Sequence, residues 1–157
     1  MSATSTSFPR IYTDQHGLKH RELTEKLIRM FFNVYNELGH GFLESVYEQA
    51  FAVSLAENNI FFERQVAIPV WFHGRQVGDF RADLLVEKKV ILELKAARAI
   101  DSACEKQLLN YLRATNIEVG ILFNFGARAE FKRYLFDNDK KNPCKSVFIR
   151  GEEVSWK

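Results

Sequence analysis

Three ionisable residues interrupt a stretch of chain that is otherwise apolar. The segment from Arg81 to Lys95 reads as two strands, Arg81-Ala82-Asp83-Leu84-Leu85-Val86 and Val90-Ile91-Leu92-Glu93-Leu94-Lys95, joined by the polar turn Glu87-Lys88-Lys89. Asp83, Glu93 and Lys95 lie in the strands rather than in the turn. Glu93 and Lys95 are two apart and share a strand face, with Leu92 and Leu94 on the other. If Val86 pairs with Val90, Asp83 lies opposite Glu93, and directly opposed residues hold their Cβ atoms roughly 4.5–5.5 Å apart. Two carboxylates at that spacing repel unless a cation stands between them. Hard oxygen ligands of this kind suit Mg2+, which takes one or two carboxylates and keeps several waters. The same residues admit a plainer arrangement, in which Lys95 neutralises Asp83 and Glu93 in a cross-strand ion cluster. Both depend on register, because a one-residue slip turns Asp83 to the opposite face.

Further residues bear on that choice. In Gly41-Phe42-Leu43-Glu44-Ser45-Val46-Tyr47, Glu44 falls in the opening turn of a helix. An acid there complements the helix dipole, worth about 0.3–1 kcal/mol, and is equally a candidate third carboxylate. Gln107 and Tyr111 are four apart and share a helix face, which also describes an ordinary polar edge. Candidate phosphate contacts are Arg64, Arg75, Arg81, Arg98, Lys106, Arg113, Lys132 and Arg133. Arg81 stands out, two residues from Asp83; the others are expected on solvated surface. The histidines show no ligand spacing, and Cys104 and Cys144 fit no zinc pattern. The cysteines read as free thiols of a reducing cytoplasm.

The elements that must position these residues follow from periodicity. Leu23, Leu27, Met30, Phe31, Val34 and Leu38 recur three or four apart, which predicts a helix over Arg21–Leu38 with Gly39 as its C-cap. A second helix is expected over Leu43–Glu57, with Val46, Ala50, Phe51 and Leu55 as its buried stripe. The period then becomes two: a strand over Phe62–Phe72, with Pro69 marking an edge position, a turn at His73-Gly74-Arg75, and strands over Gln76–Val86 and Val90–Lys95. Asp101 caps a helix running to about Arg113. Val119–Phe125 is apolar enough for a central strand covered on both faces, and the strand–helix–strand connection makes it parallel to Val90–Lys95. Phe131 to Phe136 and Ser146 to Trp156 alternate weakly and are expected as edge strands. Residues 1–19 are expected to form a flexible tail, and 20–157 a single α/β domain.

Composition sets the outer bounds. The 157 residues are the usual size of one domain, and 14 Phe against 8 Gly and 3 Pro point to a well-filled interior. A net charge of +2 is too small to establish a nucleic-acid partner, so any basic surface must be local. No run of about 18 apolar residues spans a membrane, and no secretory leader is visible, so the expected location is cytoplasmic.

Taken in order, Gly41-x-x-Glu44-x-x-Tyr47, Arg81-x-Asp83, Glu93-Leu94-Lys95, Gln107-Leu108-Leu109-Asn110-Tyr111-Leu112, Asn124-Phe125-Gly126 and Lys132-Arg133 resemble the GxxExxY family, a branch of the PD-(D/E)XK nuclease superfamily. The resemblance runs from about Glu22 to Arg133. It implies the restriction-endonuclease-like fold, a central mixed β-sheet flanked by helices. It also implies Mg2+ or Mn2+ held by Asp83, Glu93 and the carbonyl of Leu94, with Glu44 as the acid of the first helical region. Lys95 would orient or activate the attacking water, Gln107 would position a phosphate or water, and Arg81 and Tyr111 would contact substrate. The implied activity is phosphodiester hydrolysis in nucleic acid, with DNA as the expected substrate. The chain's small size leaves little room for sequence reading, so either weak sequence specificity is expected or specificity supplied by a partner protein or by dimerisation. The alternative is a catalytically weak module that keeps the fold and binds nucleic acid or a partner.

Overall fold

The structure is a computed structural model that describes residues 19–137 and, beyond them, the backbone of three two-residue strands. Helix α1 (Arg21–Leu38) buries Leu27, Ile28, Met30, Phe31 and Val34. It stops at Gly39, whose φ of 71° is left-handed and whose N–H donates to the Tyr35 carbonyl at 2.8 Å. In α2 (Glu44–Glu57) the expected stripe is only partly right. Phe51 and Leu55 are buried, but Val46 is exposed and Tyr47 takes its place. Tyr47 wins because its ring stacks on Phe125 at 4.2 Å while its hydroxyl donates to the Gly39 carbonyl at 2.7 Å, so the polar tip is satisfied where the ring is buried.

Strands β1 (Phe62–Phe72), β2 (Arg75–Val86) and β3 (Val90–Lys95) form a meander. The turns fit the twist of their strands: His73 and Gly74, and then Glu87 and Lys88, sit at positive φ. Helix α3 (Ser102–Ala114) starts at Asp101, which accepts the Cys104 N–H at 2.8 Å, and leads into β4 (Val119–Phe125). β4 lies parallel to β3 and is buried throughout. β5 (Ala129–Asp137) runs antiparallel to β4. The fragments β6 (Asn142–Pro143), β7 (Phe148–Ile149) and β8 (Glu152–Glu153) complete the sheet, ordered β1-β2-β3-β4-β5-β7-β8 with β6 on β5.

β1 is the edge, as Pro69 predicted. The stretch Phe131 to Phe136 is not an edge strand: β5 lies between β4 and β7, and all six of these residues are buried. Its alternation is weak because both faces are covered. Most of Ser146 to Trp156, all of residues 1–18 and Cys144 lie outside the described residues. No described helix is long and apolar enough to cross a membrane.

Two cores flank the sheet. Leu84, Leu92, Leu94, Ile121, Phe123 and Phe125 pack on α1 and α2. Ile91, Leu122 and Tyr134 pack on α3 through Leu108, Leu109 and Leu112. The phenylalanines concentrate on the first face, where Phe31 stacks on Phe123 at 4.5 Å and meets Phe125 edge-on at 4.9 Å. Each such ring contributes about 1.5–3 kcal/mol by burial.

One polar residue breaks the apolar run of β4. Asn124 is fully buried and clamps the backbone of Ala97, accepting its N–H at 2.9 Å and donating to its carbonyl at 3.0 Å. Two residues on, a Cβ at Gly126 would lie 2.2 Å from the Ala97 carbonyl oxygen. The chain leaving β3 after Lys95 is thereby fixed against the end of β4. Gly126→Ala should cost about 1–3 kcal/mol by overpacking, and Asn124→Ala about as much by leaving both Ala97 groups unpaired. Thermal unfolding measures both, and a Tm equal to that of the parent for either variant would contradict the clamp.

Candidate active site

The strands that carry the acids part at the acids. β2 pairs with β3 only through Leu84–Leu92, Leu85–Ile91 and Val86–Val90, so the next positions are Asp83 and Glu93, on the register the turn predicted. There side chains replace the ladder. The Asp83 N–H donates to Glu93 Oε1 at 3.1 Å, and the Leu94 N–H donates to Asp83 Oδ2 at 2.8 Å. Past this point β2 pairs with β1 alone, while β3 continues beside β4 as far as Lys95–Asn124.

The backbone also changes face here. Ala82 belongs to the α3-side core and Leu84 to the α1/α2-side core, although residues two apart on a regular strand point the same way. Across from Asp83, between the pairs Arg64–Leu84 and Val66–Ala82, Gln65 has a φ of 51°. That is the left-handed region, costly for a residue with a side chain. Its amide offsets part of the cost by donating to Glu48 Oε1 at 2.7 Å.

A cavity of about 200 Å3 opens beside the fork, lined by Glu44, Ser45, Glu48, Gln65, Asp83 and Leu94. Glu44 reaches across it to accept the Ala96 N–H at 3.5 Å. The charges in and around the fork oppose one another. Burial, the neighbouring Asp83 carboxylate and, more weakly, Glu44 push Glu93 up to about 8, against backbone donation from Asp83 and the charge of Lys95. Burial raises Asp83 as well, reinforced by Glu48 and Glu44 and opposed by the Leu94 N–H and Lys95. Lys95 sits close enough to act on both acids, yet forms no salt bridge among the described residues. A closed ion cluster is therefore not what holds the fork together.

On α3, Gln107 Nε2 donates to the Tyr111 hydroxyl at 2.7 Å. Tyr111 is 2% exposed, and burial together with the nearby Glu93 pushes it up to about 12. Its ring packs near Phe80 and its hydroxyl is engaged by Gln107, so it sits behind the site rather than on a substrate-facing surface. Arg81 is exposed and donates to the Gln65 carbonyl at 3.4 Å. Of the other basic candidates, Lys132 is buried in an ion pair with Glu105, Arg133 is buried with Nη2 donating to the Lys19 carbonyl, and Arg64 pairs with Glu48. Lys132 and Arg133 are thus committed to the fold, whereas Arg64 is exposed and its partner Glu48 lines the cavity.

The residues thus gather unequally. Asp83, Glu93, Leu94 and Lys95 adjoin one another, Glu44 stands across the cavity, and Gln107 with Tyr111 approaches from α3. Among the described residues no three of His, Cys, Asp and Glu form a closed metal cage. Two opposed carboxylates, Glu93 buried and Asp83 half-buried, that resist ionising together fit a hard divalent ion, which needs few protein ligands and completes its shell with water and substrate oxygens. The donor set lacks the Cys and His that dominate zinc sites.

Residues 21–134 match the family model of the PD-(D/E)XK nuclease superfamily. The chain belongs to that superfamily. Membership accounts for the mixed sheet with helices on both faces. Among solved structures, the crystal structure of SSO0001 is 18% identical over 78% of this chain and 64% of that one, with a TM-score of 0.47. The chain accordingly spans less than two thirds of that protein. No curated protein matches it.

Some residues around the fork were not singled out from the sequence. Glu48 follows Glu44 by one helical turn, a spacing that was legible. Gln65 left no signal, because its role comes from a backbone angle. Asn124 was marked through the Asn124-Phe125-Gly126 element of the resemblance, but its clamp on Ala97 was not.

The raised Glu93 makes a pH prediction for the metal-free protein. Unfolding returns Glu93 to an ordinary carboxylate near 4.5, while the fold keeps its proton to about 8. Its contribution to stability is therefore fully present below about pH 4.5 and lost as pH rises through 8. Glu93→Gln should match the parent in Tm at pH 4 and exceed it by a growing margin towards pH 8. A margin independent of pH would refute the buried, proton-retaining carboxyl.

Proposed function

We propose that the protein is a metal-dependent nuclease that hydrolyses phosphodiester bonds in DNA, within the GxxExxY branch of its superfamily. The observation that carries this reading is the Asp83–Glu93 pair at the strand fork, with Lys95 beside it and in no salt bridge among the described residues. Asp83 and Glu93 would hold Mg2+ or Mn2+, with the Leu94 carbonyl alongside and Glu44 completing the acidic rim. The bound ion would polarise the scissile phosphate and lower the pKa of a water. Lys95 directs positive charge to where negative charge builds on the phosphoryl oxygens, favouring the transition state over the ground state. Gln107, its amide nitrogen committed to Tyr111, presents its carbonyl oxygen to accept from and orient the water. Arg81 offers a guanidinium to a neighbouring phosphate.

A second reading, a binding module without useful turnover, draws on the distance of Glu44 from a closed cage and on the modest net charge of +2. One experiment separates them. The parent should cut DNA with Mg2+ or Mn2+ and not in EDTA, and Lys95→Ala should lose about 100-fold or more in rate with no fall in Tm. Calorimetry should detect divalent-ion binding by the parent and none by Glu93→Ala. Metal-dependent cutting that survives Asp83→Ala would sink the nuclease reading. Metal binding without cutting would favour the module.

A further inference from the structure

Past the fork, β1 and β2 continue without a third strand. From Val66–Ala82 to Phe72–Arg75 they form a two-stranded ribbon. Its base rests on α3, where Ile68 is buried and Phe80 lies 5.8 Å from Tyr111. Its tip is bare: Trp71 is 62% exposed, Phe72 63% and Val77 62%. Single exposed apolar residues are ordinary, but of the nine large exposed apolar side chains among the described residues, four lie between residues 71 and 80.

Cations accompany the rings. Arg75 pairs directly with Phe72, and Arg81 stands lower on the same strand, two residues from Asp83. Neither forms a salt bridge among the described residues, and Asp79 is the ribbon's only carboxylate, so Arg75 and Arg81 leave it net positive. The edge is also unsuited to adding a strand from a second copy. Pro69 lacks an N–H, Gln65 breaks the backbone run, and the register shifts between Val70 and Trp71.

We infer that this ribbon grips unpaired DNA, with Trp71 and Phe72 stacking on exposed bases and Arg75 and Arg81 contacting the backbone. Rings interleaved with cations bind single strands with little regard to sequence, since every base has a π face. A duplex hides those faces within its own stack, so the ribbon selects a single strand, a frayed end or a flap. Trp71 lies level with Gln76, seven residues before Asp83, or roughly 23 Å along a strand. At about 3.4 Å per stacked nucleotide, a strand held at the tip would reach the fork after about seven nucleotides.

The inference rests on the nuclease reading for the chemistry at the fork, but the binding is measured apart from it, in EDTA. Fluorescence anisotropy would compare the parent with Trp71→Ala/Phe72→Ala on oligodeoxythymidine of about 16 nucleotides and on a blunt duplex of the same length. The variant should bind the single strand about tenfold or more weakly, bind the duplex unchanged, and keep the parent Tm, because both side chains are exposed. That result upholds the ribbon even if the parent cuts nothing, in which case only the nuclease reading falls. Equal single-strand affinity in the variant, or no single-strand binding by the parent, overturns the ribbon. So does sedimentation that finds a parent dimer which the variant splits into monomers, because the rings would then face a second copy.

Discussion

The separation of β2 from β3 at Asp83 and Glu93 is the constraint on which the rest depends. A regular ladder would have paired the backbones and left two acids stacked on one face. Here each acid accepts an N–H from the opposite strand, so backbone donors near the fork are satisfied by the groups that repel each other. The arrangement concentrates negative charge in a poorly hydrated place. Burial and mutual repulsion make full ionisation costly, and a divalent ion relieves both at once. The fold holds this unfavourable pair because the structure on each side of it is well determined.

The surroundings supply that determination from three directions. β3 is locked into the middle of the sheet by a parallel β4 that is buried throughout. The chain leaving Lys95 is seized by Asn124 and pressed against Gly126. α1 is tied to the same corner, with Tyr35 donating to the Gly126 and Ala127 carbonyls. Packed aromatic rings make that corner stiff, since dense interiors transmit strain rather than absorb it. On the other side of the fork the ribbon has no comparable support beyond α3. The fork therefore lies between the packed sheet and a projecting hairpin.

Much of this was legible in the chain. The helices, the meander and the parallel crossover follow from periodicities that change from 3.6 to 2 and back. The pairing of Asp83 with Glu93 follows from one tight turn, because the length of the turn sets the register of everything beyond it. The errors have local causes. Val46 was assigned to the core because it is aliphatic, whereas Tyr47 is buried there because its hydroxyl finds a carbonyl. β5 looked like an edge because its alternation is weak, yet both its faces are covered, and Lys132 and Arg133 are buried with partners far off in sequence.

The sequence by itself, apart from the family resemblance that marked Glu44 and Gln107, determined the helices, most strands and their order, and the placing of Asp83, Glu93 and Lys95 in one hairpin. Those depend on local periodicity, turn chemistry and residue type, all written within a few positions of each other. Only the tertiary structure decided how far each group stands from the next: that Glu44 lies across a cavity, that Gln65 turns left-handed opposite Asp83, that Tyr111 is spent on Gln107, and that a ribbon of rings projects past the fork. These are consequences of contacts between segments tens of residues apart. Their energies come from packing and desolvation, which no local pattern encodes.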